Sequence, residues 1–216
     1  MTINLKNSKP SAIIFDWDNT LANTWPLIEK AMHDMLKKYN MEDSLDEYRK
    51  RTFGMPMRDS FPLLFKEKAP EMHKVYVENY HKVRHENLKL NPYADELLQD
   101  AKAKDIPLFI VSNKLGESLR YEVEQLNCTQ YFSAIVGSLD TEHDKPNKFP
   151  VEYAFRNNQI SLDTNVWFVG DSEVDVNCAL NCDCTAILYG QTYKQTSRSM
   201  PESDQIFKIN CFSELI

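Results

Sequence analysis

Hydrophobic and polar residues alternate in blocks along this chain, and the pattern predicts an α/β fold. An apolar run at Ala12–Phe15 stops abruptly at Asp16, which is typical of a strand buried on both faces of a sheet. From Ala94 onwards, apolar runs alternate with stretches of helical periodicity, a pattern that favours a parallel sheet with right-handed crossovers. The later strands are predicted at 106–111, 134–136, 166–169, 185–188 and 205–209, and the helices between them at 95–104, 117–126, 150–157 and 173–181.

Between the first two strands lies a long segment with helical spacing and no strand pattern. Apolar residues recur at helical intervals in 25–39, and two further helices are predicted at 60–66 and 71–88, separated at Pro70. Such a segment between strands indicates an all-helical domain inserted into an α/β domain. The predicted division is an α/β core of residues 1–22 and 92–216 and an inserted helical domain of residues 23–91.

Composition and charge narrow the class of protein. The 216 residues are 42% hydrophobic and 26% charged, as in an ordinary soluble globular protein. The formal net charge of −7 argues against nucleic acid or an anionic membrane as a partner. No apolar run approaches the roughly 20 residues of a transmembrane helix, and the first residues lack the apolar region of a secretory signal. The expected location is therefore the cytoplasm.

The five cysteines are expected to be reduced thiols, because their number is odd and no signal is recognised. Cys178, Cys182 and Cys184 cluster, but zinc would require a fourth ligand and no histidine lies beside them. Burial as small apolar residues is the favoured alternative, and no functional role is assigned to them.

Two aspartates follow the first strand, at the end where open α/β sheets place their sites. In an extended segment, residues two apart point the same way, so Asp16 and Asp18 are expected to face one point. Their repulsion is relieved either by a proton or by a cation between them. The alternative is a strand that simply ends in a polar turn.

Two other predicted strands also end in polar residues. Ser112 and Asn113 follow the strand at 106–111 and offer a hydroxyl and backbone N–H groups that can cradle an oxyanion, or else cap the next helix. Asp171 and Asp175 follow the strand at 166–169. Four acids at two parallel strand ends are difficult to explain as caps, and hard oxygen ligands suit Mg²⁺.

A proline-flanked loop at 144–150 carries Lys145 and Lys148. A lysine held near the carboxylates would neutralise them and could bind a phosphate group. The alternative is a solvated surface lysine, which is the usual state of this residue type.

The four motifs, in this order, resemble those of the haloacid dehalogenase (HAD) superfamily. They read DWDNTL at 16–21, VSNK at 111–114, DKPNKFP at 144–150 and GDSEVD at 170–175, and the likeness covers nearly the whole chain. The helical insertion lies where the subclass I members carry their cap, and the second and third motifs look like those of phosphoglycolate phosphatase-like enzymes. The resemblance implies a Rossmann-like core, bound Mg²⁺ and hydrolysis of a small phosphomonoester.

The resemblance also implies roles for matching residues. Asp16 matches the nucleophile, and Asp18 matches the general acid/base, whose backbone carbonyl also joins the metal. Ser112 and the backbone of Asn113 match the phosphate-binding positions. Asp18 favours phosphate chemistry, since dehalogenases and phosphonatases of this superfamily lack an acid there.

The remaining matches are a lysine and a set of metal ligands. Lys145, which precedes proline, matches the catalytic lysine better than Lys148 does. The sequence departs from many relatives at Asn19, where they have glycine, but asparagine tolerates the left-handed conformation of the turn. The implied Mg²⁺ ligands are Asp16, Asp18, Asp171 and Asp175.

The substrate is expected to be a small phosphorylated metabolite, and phosphoglycolate is the leading candidate by resemblance alone. Basic residues of the insertion could meet a second anionic group or form a solvated face. A sugar-phosphate mutase of the same fold and a non-catalytic binding protein are the competing hypotheses, and oligomeric state is not readable from the sequence. The basic residues are Arg49, Lys50, Arg51 and Arg58.

Overall fold

The computed structural model describes residues 8–42, 57–190 and 201–216, except for the side chains of 57–59. In these residues one six-stranded sheet has the order β3-β2-β1-β4-β5-β6, and every neighbouring pair is parallel. The predicted α/β, Rossmann-like fold is therefore confirmed. The strands are β1 (Ala12–Phe15), β2 (Leu108–Leu115), β3 (Phe132–Ser138), β4 (Val166–Gly170), β5 (Thr185–Tyr189) and β6 (Ile206–Ile209).

Seven α-helices lie in the described part of the chain, and short 3₁₀ turns occur at Lys66–Lys68, Thr129–Tyr131 and Phe212–Glu214. The helices are α1 (Trp25–Lys38), α2 (Met57–Phe65), α3 (Ala69–Asn87), α4 (Ala94–Ala103), α5 (Gly116–Gln125), α6 (Phe149–Phe155) and α7 (Glu173–Asn181).

The central strand β1 places the site. It is fully buried and pairs with β2 on one side and β4 on the other. The chain runs outward from β1 through β2 to β3 and then crosses to β4 on the other side of β1. The strand order therefore reverses between β1 and β4, and a crevice is expected beyond the carboxyl ends of these two strands. Ile14, Phe109 and Phe168 belong to one buried apolar cluster that underlies this edge.

The chain divides into two compact units, residues 1–22 with 90–216, and residues 23–89. The first contains the sheet. The second contains α1 to α3 and has a core of its own, in which Met32 and Met35 of α1 share a buried cluster with Phe61, Met72 and other apolar residues. Helical spacing of apolar residues in α1 accounts for this buried face. The action of this helical unit as a cap stays a prediction.

The end of β2 and the start of α3 differ from the predicted boundaries, and β3 is longer at both ends than the strand predicted at 134–136. Strand β2 runs to Leu115, with a register shift between Val111 and Leu115, and Leu115 precedes the first residue of α5. Ser112 and Asn113 thus lie in an irregular strand end and do not cap the helix. Helix α3 begins before Pro70, because proline is tolerated in a first helical turn, and Lys66 with a φ of 49° marks the break instead.

Some predictions fall on residues outside the described ranges. The basic residues Arg49, Lys50 and Arg51 lie there, as does the side chain of Arg58. Among the helices that the structure describes, none combines the length and apolar character needed to span a membrane.

Candidate active site

Three buried carboxylates meet beyond the ends of β1 and β4. Asp16 directly follows β1 and Asp171 directly follows β4, while Asp175 lies in the first turn of α7. One carboxylate oxygen from each lies within 4.8 Å of the others. Because β1 and β4 are parallel neighbours, their carboxyl ends coincide, so the apolar runs that stop at acids bring those acids together.

Lys145 lies among these acids. Its Nζ is 2.6 Å from Oδ1 of Asp16 and 2.6 Å from Oδ1 of Asp175, and the residue is 4% exposed. The second candidate, Lys148, has a side chain that is 58% exposed and pairs with Glu152 on α6 at 2.7 Å. The structure thus places Lys145 in the acidic cluster and Lys148 on the surface.

The loop that carries Lys145 is fixed by its neighbours. The Asn113 side chain accepts a hydrogen bond from the Lys145 backbone N–H at 2.9 Å and donates one to its carbonyl at 3.0 Å. The Ser138 hydroxyl donates to Asp144 at 3.0 Å, and Asn181 donates to the Pro146 carbonyl at 2.9 Å. The side chain of Asn113 therefore aims Lys145, and phosphate binding by its backbone stays a prediction.

Asp175 is oriented by the start of its own helix. The Ser172 hydroxyl donates to Oδ2 of Asp175 at 2.6 Å, and the Ser172 backbone N–H donates to the same oxygen at 3.1 Å. Oδ1 remains for Lys145. A Cβ on Gly170 would lie 2.3 Å from the Asp175 Cβ, so only glycine permits this close approach.

Burial and repulsion dominate the electrostatics of the cluster. Burial raises the pKa of Asp16 to about 6, against the attraction of Lys145. Burial, followed by the charges of Asp175 and Asp16, raises the pKa of Asp171 well above its usual range. Burial lowers the pKa of Lys145, but the two carboxylates outweigh it and the net direction is upward. The ammonium group therefore stays charged, while the repulsion among the three carboxylates is only partly offset by this one positive charge.

This donor set fits a divalent cation. Among the four groups, one ammonium faces three carboxylates, which leaves negative charge uncompensated when all are ionised. Three oxygen donors within 4.8 Å of one another suit a hard cation such as Mg²⁺, which keeps several of its waters. Within the described residues this group is formed by Asp16, Asp171 and Asp175, and the side chain of Asp18 does not belong to it.

The carboxylate of Asp18 contacts a different set of residues, which the sequence did not reveal. Its Oδ1 lies 2.9 Å from Nζ of Lys114, which lies 3.1 Å from Oε1 of Glu122. The indole N–H of Trp17 donates to the other oxygen of Glu122 at 2.9 Å. A signal was present, because Glu122 shares the buried face of α5 with Val123 and other apolar residues.

Two hydroxyls complete the site. Ser112 is buried, and its Oγ accepts a hydrogen bond from the Lys114 backbone N–H at 3.3 Å. Thr20 donates to Oδ2 of Asp16 at 3.4 Å. The arrangement offers a buried carboxylate, a fixed ammonium group and hydroxyls at one edge of the sheet, which is suited to attack on an electrophile that carries negative oxygens.

The clustered cysteines lie beside the site without belonging to the acidic group. Cys178, Cys182 and Cys184 are buried free thiols in the apolar cluster of the sheet unit. The Cys178 thiol donates to the Asn147 carbonyl at 3.5 Å and so supports the loop that carries Lys145. The packing favours the interpretation of these residues as small buried side chains.

Comparison with known proteins gives concordant results. The family model for haloacid dehalogenase-like hydrolases matches residues 13–189, from β1 to the end of β5. Pyrophosphatase PpaX of Oceanobacillus iheyensis is 32% identical over 146 residues, which are 67% of this chain and 67% of that protein. The phosphoglycolate phosphatase of Escherichia coli K12 is 28% identical over 148 residues, 67% of this chain but 58% of that protein.

A solved structure extends the likeness to the whole fold. The crystal structure of a HAD-superfamily hydrolase from Ehrlichia chaffeensis has a TM-score of 0.64 and 28% identity, and the match covers 96% of this chain and 95% of that one. The range 13–189 matched by the family model includes every candidate site residue.

Proposed function

The chain belongs to the haloacid dehalogenase-like hydrolases and is a phosphatase of that superfamily, and from this premise we propose that it hydrolyses a small phosphomonoester through an aspartyl-phosphate on Asp16. One observation carries the proposal most strongly. The carboxylate of Asp16 lies at the end of the central strand, in contact with the buried ammonium group of Lys145. A non-catalytic binding protein would have no need of this arrangement.

In the first step, a carboxylate oxygen of Asp16 attacks phosphorus. A bond forms between this oxygen and phosphorus while the ester P–O bond breaks, and Asp18 gives its proton to the departing alkoxide. Lys145 faces the negative oxygens of the transferring group, where a fixed positive charge stabilises the transition state. The products are a free alcohol and an acyl phosphate on Asp16.

In the second step, a water molecule attacks the phosphorus of the acyl phosphate. Asp18, now ionised, takes a proton from this water, and Asp16 leaves as a carboxylate. Inorganic phosphate departs, and one proton has moved from water to Asp18, which restores the starting state. Ser112 and the backbone of Asn113 are proposed to bind the phosphoryl oxygens in both steps.

Asp16, Asp171 and Asp175 would hold Mg²⁺, together with the backbone carbonyl of Asp18. When bound, Mg²⁺ supplies positive charge that offsets the carboxylates and polarises phosphoryl oxygens. The three side chains support this assignment because their oxygens converge and their repulsion lacks sufficient counter-charge.

We expect the substrate to be a small phosphorylated metabolite, with phosphoglycolate as the first candidate because the Escherichia coli relative is named for that activity. Pyrophosphate is the second candidate, since the 32% identical relative is named a pyrophosphatase. The helical unit is proposed to act as the cap that sets this choice. The cytoplasmic location expected from the sequence stays a prediction.

A substrate panel tests the proposal. Release of inorganic phosphate is measured with phosphoglycolate, larger sugar phosphates and pyrophosphate, with Mg²⁺ and with a chelator. We expect Mg²⁺-dependent release, with a higher kcat/KM for phosphoglycolate than for sugar phosphates. Turnover of a sugar phosphate into its isomer, dependent on a bisphosphate and without phosphate release, would instead identify a mutase. Higher activity on pyrophosphate would favour the second candidate.

A pH titration of stability tests the cation site without relying on activity. Folding raises the pKa of Asp16 from 3.8 to about 6, so the unfolded state binds fewer protons between these values. The metal-free protein should therefore lose stability as pH rises through this range, by about 2 kcal/mol from Asp16. Chemical denaturation at pH 4 to 8 measures the loss.

Addition of Mg²⁺ should remove that loss, because the cation binds the ionised carboxylates of the folded state. Above pH 6 the unfolding free energy should rise with Mg²⁺ concentration, whereas at pH 4 it should respond little. An Asp171→Asn variant serves as the control and should show a reduced response. Equal effects of Mg²⁺ at both pH values would contradict the assignment of these ligands.

A further inference from the structure

A row of charged and polar side chains runs from Asp18 into the protein interior. Nζ of Lys114 contacts Asp18 at 2.9 Å and Glu122 at 3.1 Å, and the indole of Trp17 donates to Glu122 at 2.9 Å. The Glu122 side chain is 0% exposed, and that of Lys114 is 10% exposed. Two charged groups are thus held in the interior directly behind the proposed acid/base.

Stability alone does not account for this row. A buried ion pair costs desolvation that its attraction barely offsets, and an apolar pair of similar size commonly serves stability equally well or better. Glu122 also lies on an otherwise apolar helix face, which shares its burial with Leu119 and Val123. The Lys114–Glu122 pair is better explained by a role in orienting a neighbouring side chain.

The geometry fixes one side chain of the proposed mechanism. Trp17 precedes Asp18 in the chain and contacts Glu122, while Lys114 belongs to the irregular end of β2. The row therefore links the turn after β1, the end of β2 and helix α5 at one carboxylate. Oδ1 of Asp18 is engaged by Lys114, and this contact restricts the rotamer of the side chain.

We propose that Lys114 and Glu122 are positioning residues, which hold the Asp18 carboxylate in the orientation needed for proton transfer to the leaving group. This inference rests on the proposed function, because it presumes the acid/base role of Asp18. Glu122 acts through Lys114, and Lys114 acts through Asp18. Neither residue needs to touch the substrate.

Leaving-group dependence provides the test. An aryl phosphate such as p-nitrophenyl phosphate releases a stable anion and needs little protonation, whereas an alkyl phosphate needs an acid in place. The ratio of kcat/KM values for the two substrates reports proton transfer up to formation of the acyl phosphate. A purely structural defect, or loss of a phosphate-binding lysine, would lower both values together.

In Lys114→Met, kcat/KM for the alkyl phosphate should fall about 10- to 100-fold, and the value for the aryl phosphate less than about threefold. Glu122→Gln should also lower kcat/KM selectively for the alkyl phosphate, but by a smaller factor. Lys114→Arg should retain most of the wild-type kcat/KM, since arginine keeps a charged donor at this position. Lys148→Met is the matched control, because Lys148 lies on the surface and its side chain pairs with Glu152 of helix α6.

Loss of folding in Lys114→Met would not prevent the test. The double variant Lys114→Met/Glu122→Gln removes both charges and leaves no lone buried charge of this pair. Its selective loss on the alkyl phosphate would support the proposal. An equal loss on both substrates, or none, would overturn it.

Asp18→Asn separates this inference from the proposed function. If Asp18→Asn reduces alkyl phosphate hydrolysis selectively but the Lys114 and Glu122 variants do not, the acid/base assignment stands and the positioning role is wrong. If Asp18→Asn leaves hydrolysis of both substrates unchanged, the proposed mechanism fails and the positioning role fails with it.

Discussion

Asp16→Asn is expected to reduce phosphate release on the order of 10⁴-fold or more, because the variant lacks the oxygen nucleophile of the covalent mechanism. We expect the fold to survive, since Lys145 keeps its contact with Asp175 and the buried cluster loses one of three like charges. The measurement is phosphate release at saturating Mg²⁺, together with mass spectrometry of protein quenched during turnover. Wild type should carry a phosphoryl adduct on the peptide that contains Asp16.

Asp183→Asn is the matched control for this experiment. Asp183 is exposed and has a φ of 58°, a conformation that asparagine accepts readily. The activity of the Asp183→Asn variant should equal that of wild type. An Asp16→Asn protein that folds normally and retains a tenth or more of the wild-type rate would rule out the covalent mechanism at this residue.

Lys145→Met should cause the second-largest loss. The substitution removes the ammonium group that contacts Asp16 and Asp175, and activity should fall about 10²- to 10³-fold because the transferring group loses a fixed positive charge. Stability should fall by about 3 kcal/mol at neutral pH, since two buried carboxylates lose their partner. Phosphate release and denaturant unfolding provide the two measurements.

Lys148→Met tests the specificity of this effect within the same loop. Lys148 is exposed and forms an i,i+4 pair with Glu152, which contributes little. Both activity and stability should stay near the wild-type values. Equal losses in the two variants would mean that the loop, rather than the ammonium group of Lys145, is responsible.

The sheet and its acids could be predicted because the information is local. Ala12–Phe15 is uninterrupted by polar residues and stops at Asp16, and the strand before Asp171 has the same form. Parallel pairing then brings the carboxyl ends together without knowledge of any side-chain contact. Spacing along the chain was sufficient for this part of the site.

The choice between Lys145 and Lys148 required more than spacing. Both lysines lie in one loop, and only the likeness to known motifs favoured the first. The loop conformation depends on Asn113 and Ser138, which come from the ends of other strands. Contacts between segments distant in sequence thus determine which lysine turns inward.

Tertiary contacts also explain what the sequence did not reveal. Trp17 and Glu122 are 105 positions apart and meet through a side-chain hydrogen bond. The end of β2 was misplaced for a related reason, because Leu115 pairs with Ser138 of β3 after a register shift. The apolar face of α5 marks the position of Glu122 as buried, but it does not indicate a partner so distant in sequence, and no periodic pattern marks the end of β2.

The short bridge at the base of the insertion bears on the order of folding. Ala22 pairs antiparallel with Leu90, and the Asn23 backbone N–H donates to the Lys89 carbonyl at 2.9 Å. Pairing of β1 with β2 must close a long loop. The entropic cost of closing this loop is smaller if the two ends of the loop already lie together. Early assembly of the inserted helices would hold these ends side by side. The helical insertion that separates β1 from β2 in the sequence would then make the pairing of these central strands faster.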